Sequence, residues 1–153
     1  MVYVSTRIAR AADPTGIELV LATSDYDLFG MALVQGDAYG SPQPASRDEL
    51  PARRAAMRRG AIAMIARDVA TGAVVGAGSC SPIVGGLSEV AAVGVAATHR
   101  RRGIARTLAH RLANEAIDRG ADVAFLMATH QAEQAIYGGA GFTTIGEILH
   151  ISW

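Results

Sequence analysis

The stretch from Ala61 to Thr129 constrains the fold most, because its hydrophobic pattern changes period partway along. "AIAMIARDV" (Ala61–Val69) and "AVVGAGSCSPI" (Ala73–Ile83) are apolar runs joined by the short turn "ATG", which predicts a β-hairpin. A turn at Gly85–Gly86 leads into a third strand, Ser88 to Val95. The period then lengthens. Ile104, Leu108, Leu112 and Ala116, joined by Ala105, Ala109 and Ala113, recur at helical spacing and give one apolar stripe that must face a sheet. Gly120 ends that helix. "ADVAFLMAT" (Ala121–Thr129) is almost continuously apolar, the pattern of a strand covered on both faces.

The flanking segments complete the order. "IELVLA" (Ile17–Ala22) reads as a short strand. "SDYDLFGMALVQGDAYG" reads as a helix capped by Ser24 or Asp25, with Leu28, Met31, Ala32 and Gln35 on one face. The Pro- and Ser-rich stretch Tyr39–Pro51 is a surface loop. "RDELPARRAAMRRG" is a second helix with an internal proline, stopped by Gly60. "QAEQAIYGGAGF" is a short helix and "FTTIGEILHISW" a final strand. After the opening strand the order is α, α, β, β, β, α, β, α, β. That order predicts an α/β or α+β fold with a mixed sheet, and 153 residues fit one domain spanning 1–153.

Charge narrows the function classes. Fourteen basic and fourteen acidic residues cancel, so nothing in the net charge favours nucleic acid or an anionic membrane. Every basic residue other than histidine is arginine. The basic face Arg53, Arg54, Arg58 and Arg59 is expected to be a solvated helix surface. Cys80 is the lone cysteine, with no disulfide or CxxC partner, and reads as a small strand-end or core residue. No metal site is indicated. No apolar run approaches the roughly 18 residues of a membrane span, and the N-terminus lacks signal-peptide order, so a cytoplasmic location is expected.

One turn asks for a chemical reason. "VGVAATHRRRGIARTLAHRL" puts Arg100, Arg101 and Arg102 at the mouth of a helix that starts near Gly103. Positive charge there opposes the helix dipole. A bound anion would reverse the sign, because the first turn exposes unpaired N–H groups and Gly103 lets a ligand approach the backbone. A merely solvated turn is the alternative on charge alone. The turn fits neither G-x-x-x-x-G-K-[ST] nor G-x-G-x-x-G.

"RRRGIA" (Arg100–Ala105) resembles the [Q/R]-x-x-G-x-[G/A] signature of the GCN5-related N-acetyltransferases, and "AIYGGAGF" (Ala135–Phe142) is similar to that family's second block. A helix and a buried strand separate the two, as the family requires. The resemblance implies a mixed, mostly antiparallel central sheet flanked by helices. It also implies acetyl-CoA-dependent acetyl transfer to a primary amine of a small molecule or peptide by direct attack. A non-catalytic acyl-CoA-binding domain, used in regulation, is the alternative on the same fold.

The resemblance further implies that the N–H groups of Arg101, Arg102, Gly103, Ile104 and Ala105, with Arg100 alongside, hold the pyrophosphate of acetyl-CoA. Val93 and Val95 would line the pantetheine arm, with the strand splaying at a bulge near Gly94 and the Val95 N–H facing the developing oxyanion. Tyr137 matches the family's general acid. Glu89 is the candidate base: at a period of two it shares a face with Ala91, Val93 and Val95, and some relatives carry a carboxylate there. His99 and His130 are alternatives. Where relatives carry asparagine and alanine, this chain has His130 and Glu133. Tyr26, Phe29, Tyr39 and the loop Ser41–Pro51 are expected to shape the acceptor pocket, with Asp25, Asp27 or Asp37 available to a cationic amine. The C-terminal strand offers an edge for a homodimer.

Overall fold

A computed structural model describes residues 2–5, 12–128 and 131–147. β2 (Ile17–Leu21), β3 (Ile62–Asp68), β4 (Val74–Cys80) and β5 (Leu87–Val95) form an antiparallel meander. β6 (Val123–Met127) then pairs with β5 in parallel. A parallel neighbour needs a crossover, and α3 (Ile104–Asp118) supplies it. β1 (Val2–Ser5) lies between β6 and β7 (Thr143–Gly146), antiparallel to both, so the sheet runs β2-β3-β4-β5-β6-β1-β7. α1 (Asp25–Ala38), α2 (Leu50–Arg58) and α4 (Gln131–Gly139) complete the described helices.

Two apolar layers sandwich the meander. On one face the α3 stripe, Ile104, Leu108 and Leu112, packs on Met64, Val75, Val90 and Val95. Close packing requires glycine at Gly78, where a Cβ would lie 2.7 Å from Leu112 Cδ1. On the other face Leu28, Met31 and Leu50 cover Ala63, Ile65 and Ala77. Cys80 is buried, its Sγ lies 3.4 Å from the Leu112 carbonyl oxygen, and burial pushes the thiol up to about 12; it is a core residue.

α1 begins as its sequence predicts. Ser24 caps it, and Asp27 returns the bond to complete a capping box. Pro51 sits in the first turn of α2, where its missing N–H has no helical partner to lose, rather than in the interior. Two further expectations need correction. β6 is fully covered on one face only: Ala124 and Leu126 are buried, Val123 and Phe125 half-buried, and Met127 exposed. β1 adds a strand that the sequence order lacked. Its four residues carry too little pattern to be seen before their partners are known. Of the expected C-terminal strand, Thr143–Gly146 is present and 148–153 lie outside the described residues.

Candidate functional site

The site begins with an irregularity in β5. Val90 pairs with Cys80 and Ala91 with Ser79, but Gly94 pairs with Ala77, so Ala92 and Val93 together oppose Gly78. This is a β-bulge, and Ala92 takes a left-handed φ of 54°. The expectation of a bulge at Gly94 is therefore corrected to Ala92–Val93. Gly94 has a different role: it lies against α1, where a Cβ would be 2.8 Å from Ala38 Cβ.

The extra residue also overturns the shared face expected for Glu89 and Val95. Val90 packs in the α3 layer, and Glu89 and Ala91 face the α1 and α2 side. Past the bulge Val93 and Val95 return to the α3 side. A period of two does not survive an inserted residue.

The far edge of β5 is open beyond the bulge, because β6 pairs only with Leu87–Glu89. On that edge the Val93 carbonyl accepts from the Tyr39 hydroxyl at 3.0 Å and the Val95 carbonyl from Arg100 Nε at 3.3 Å. The next N–H, of Ala96, bonds back to β4 at Val75. Since extended residues alternate, and each projects its N–H and C=O to one side, the Val95 N–H also faces the open edge.

Where β5 ends, the chain makes a helical turn at Ala97–His99, extends at Arg100, and enters α3 through Arg101 at φ 60° and Gly103 at φ 78°. Left-handed residues on either side of Arg102 turn the chain sharply into α3. The first i→i−4 bond of α3 is Thr107 N–H to Gly103 O, so the N–H groups of Ile104, Ala105 and Arg106 have no helical acceptor. No side chain caps this end and its first turn holds no acid, whereas α1 has both. His99 anchors the turn, with Nε2 2.9 Å from Asp68 and Nδ1 2.7 Å from Thr98. The His99 contact holds the Asp68 carboxyl below its ordinary value. Both ring nitrogens of His99 are thus engaged.

These parts wall a cavity of about 560 Å³. It gathers Val93, Val95, Arg100, Arg101, Gly103, Ile104 and Ala105, all named from sequence. Arg102 is the exception: its guanidinium turns away to donate to the Thr15 carbonyl at 3.0 Å, leaving only its backbone at the turn. Arg106 lines the cavity and was missed, although it stands three residues after Gly103 on the exposed first turn. It packs on Gly139, where a Cβ would lie 3.0 Å from Arg106 Cδ.

α4 brings Glu133 and Ile136 to the same cavity and buries Tyr137, whose ring meets Phe142 edge-on at 6.4 Å. Burial pushes the Tyr137 phenol above its ordinary 10.0, and Tyr39 and Glu133 push it further. Glu89 lines a second cavity of about 300 Å³ beneath α1 and α2. His130 lies outside the described residues. Among the described residues no three His, Cys, Asp or Glu side chains converge as metal ligands, and no helix is long and apolar enough to cross a membrane.

The acetyltransferase (GNAT) family pattern matches residues 20–142. The fold resembles a GCN5-related N-acetyltransferase from Kribbella flavida, with TM-score 0.71 and 23% identity over 93% of this chain and 52% of that one. A GCN5-related N-acetyltransferase from Sphaerobacter thermophilus gives TM-score 0.74 and 20% identity over 93% and 47%. This chain thus spans about half the length of those two proteins. AAC(6')-Iy, in complex with the bisubstrate analog CoA-S-monomethyl-acetylneamine, gives TM-score 0.72 and 14% identity over 90% and 97%. No curated protein matches the sequence. With the family pattern covering most of its length, the chain belongs to the GNAT acetyltransferase family.

Proposed function

We propose that this protein is an acetyl-CoA-dependent N-acetyltransferase acting on a primary amine. The observation that carries this reading is the uncapped, acid-free N-terminus of α3, opening with three cavity-lining arginines onto the free edge of β5. Such an end is costly unless an anion fills it. The residues fit a pyrophosphate. The amides of Arg101 to Ala105 would hold it, with Arg100, Arg101 and Arg106 adding charge-assisted contacts. The open edge at Val93 and Val95 suits an extended amide-bearing arm. Bound there, acetyl-CoA supplies the acyl thioester.

Each step has a residue. Glu89, directly or through water, takes the proton of the incoming ammonium. The Val95 N–H donates to the oxygen where negative charge develops. Tyr137 protonates the departing sulfur. Its raised pKa keeps the phenol in its donor form, and the burial that raises it also makes a thiolate there more basic.

Thiol release measured with acetyl-CoA and a panel of amines tests this reading. Tyr137→Phe is expected to lower kcat by about 10²-fold or more while acetyl-CoA affinity is unchanged. An unaltered kcat would remove Tyr137 from the chemistry. Tight acetyl-CoA binding with no thiol release from any amine would favour a non-catalytic acyl-CoA-binding domain.

A further inference from the structure

The cavity on the far side of the β5 bulge has a composition that selects an acceptor. Its volume, about 300 Å³, is at the small end of ligand sites, which span roughly 300–1,000 Å³. Leu28 and Met31 of α1, Met57 of α2 and Ala63 of β3 make its walls apolar. Two charged side chains enter it, Arg53 and Glu89. Its hydroxyls are already engaged: Ser79 Oγ donates to the Ala91 carbonyl, while Ser81 Oγ accepts from the Glu89 N–H and donates to the Pro82 carbonyl. Recognition therefore falls to the two charges.

Arg53 is held in place at the cavity wall. Nη1 donates to Gln35 Oε1 at 2.9 Å and Nη2 to Glu49 at 3.4 Å. Nε is buried and has no acceptor among the described residues. Gln35 in turn donates to the Ala92 carbonyl at 2.9 Å, tying Arg53 to the bulge that opens β5. The cavity thus offers a carboxylate for an amine, a guanidinium for an oxyanion, and apolar walls between.

We infer that the acceptor is an α-amino acid with a medium-sized aliphatic side chain, its amine toward Glu89 and its carboxylate on Arg53. This rests on the acetyl-transfer reading above. In the reaction the amine nitrogen bonds to the thioester carbonyl carbon and the C–S bond breaks. The ammonium gives one proton to Glu89 before attack; the attached nitrogen then sheds a second, which replaces the proton that Tyr137 gives the departing thiolate, so that an N-acetyl amino acid and free coenzyme A thiol leave with the Tyr137 phenol restored. A polyamine would leave Arg53 unanswered, and an aminoglycoside would put many hydroxyls and cations against apolar walls.

The experiment compares leucine, isopentylamine (leucine without its carboxylate) and spermidine as acceptors, with acetyl-CoA binding titrated separately. Wild type is expected to favour leucine over isopentylamine by about tenfold or more in kcat/KM. Leucine alone, titrated into the protein, should give a binding heat that isopentylamine does not. Arg53→Met should bring the preference toward one with acetyl-CoA affinity intact; the wild-type ratio decides the matter should that variant fold poorly. Equal or better use of isopentylamine or spermidine, with acetyl-CoA bound, would overturn the amino-acid inference and leave acetyl transfer standing. Absence of acetyl-CoA binding would overturn both.

Discussion

Ala92 and Arg101 are the non-glycine residues at positive φ among those described, and they flank the same cavity, one at the bulge and one at the turn. Left-handed geometry costs an ordinary residue about 1–2 kcal/mol, so strain is concentrated at the site. Arg101→Gly should relieve it, stabilising the fold by about 0.5–1 kcal/mol net of the extra freedom glycine has when unfolded. The same change should weaken acetyl-CoA binding by removing a charge from the cavity. Thermal melts and titration would show the opposite movements, and stability and affinity moving together would contradict the account. Tyr137 makes a pH prediction. Its pKa is raised, so the phenol stays protonated beyond its ordinary 10.0, and kcat should show no Tyr137-dependent decline up to about pH 10. A decline below that, absent in Tyr137→Phe, would contradict it. The signature marked Gly103, which the structure places at the mouth of α3 on the cavity wall. The outward turn of Arg102 was not legible in sequence, because its direction is set by the Thr15 carbonyl, a contact across 87 positions of chain.

At the scale of elements, α1 is the clearest case of local chemistry specifying structure. Asp27 accepts from the Thr23 and Ser24 N–H groups and pairs with Arg67 across to β3. Burial works to raise its pKa, but the Thr23 and Ser24 hydrogen bonds and the Arg67 charge outweigh it and hold the carboxyl below 3.8. A depressed folded pKa contributes stability that is present above the unfolded value and lost as pH falls through the folded one. Asp27→Asn should thus cost about 1–3 kcal/mol at neutral pH, and the gap from wild type should narrow below about pH 4. Urea unfolding at the two pH values checks this, and a constant gap would contradict it. Ser24 and the apolar spacing of α1 made that helix readable from sequence. The β5 bulge was expected at Gly94 but lies at Ala92–Val93, a position that the uniformly apolar "VAAVGV" does not mark. One added residue sent Glu89 to a different cavity from Val95.

At the scale of the molecule, the apolar periods of residues 61–129 were enough to give β3, β4, β5, the sheet-facing helix α3 and the strand beyond it, and the whole element order pointed to a mixed sheet. What they could not give was the place of β1, or how far β6 follows β5. Both depend on pairing between distant segments rather than on local pattern. That second quantity matters most, because pairing that stops at Glu89 leaves the edge on which the account depends. The central claim is that the open N-terminus of α3 holds the phosphates of acetyl-CoA, and Arg106→Glu tests it by making stability and binding diverge. Position 106 is on the first turn of α3, where an acid favours the helix dipole by about 0.3–1 kcal/mol and an arginine opposes it. The measurement is calorimetric titration of acetyl-CoA into wild type and Arg106→Glu, with a melting curve for each. The account predicts a variant that melts no lower than wild type and binds acetyl-CoA at least about tenfold more weakly. A well-folded variant with unchanged affinity would mean that the phosphates lie elsewhere.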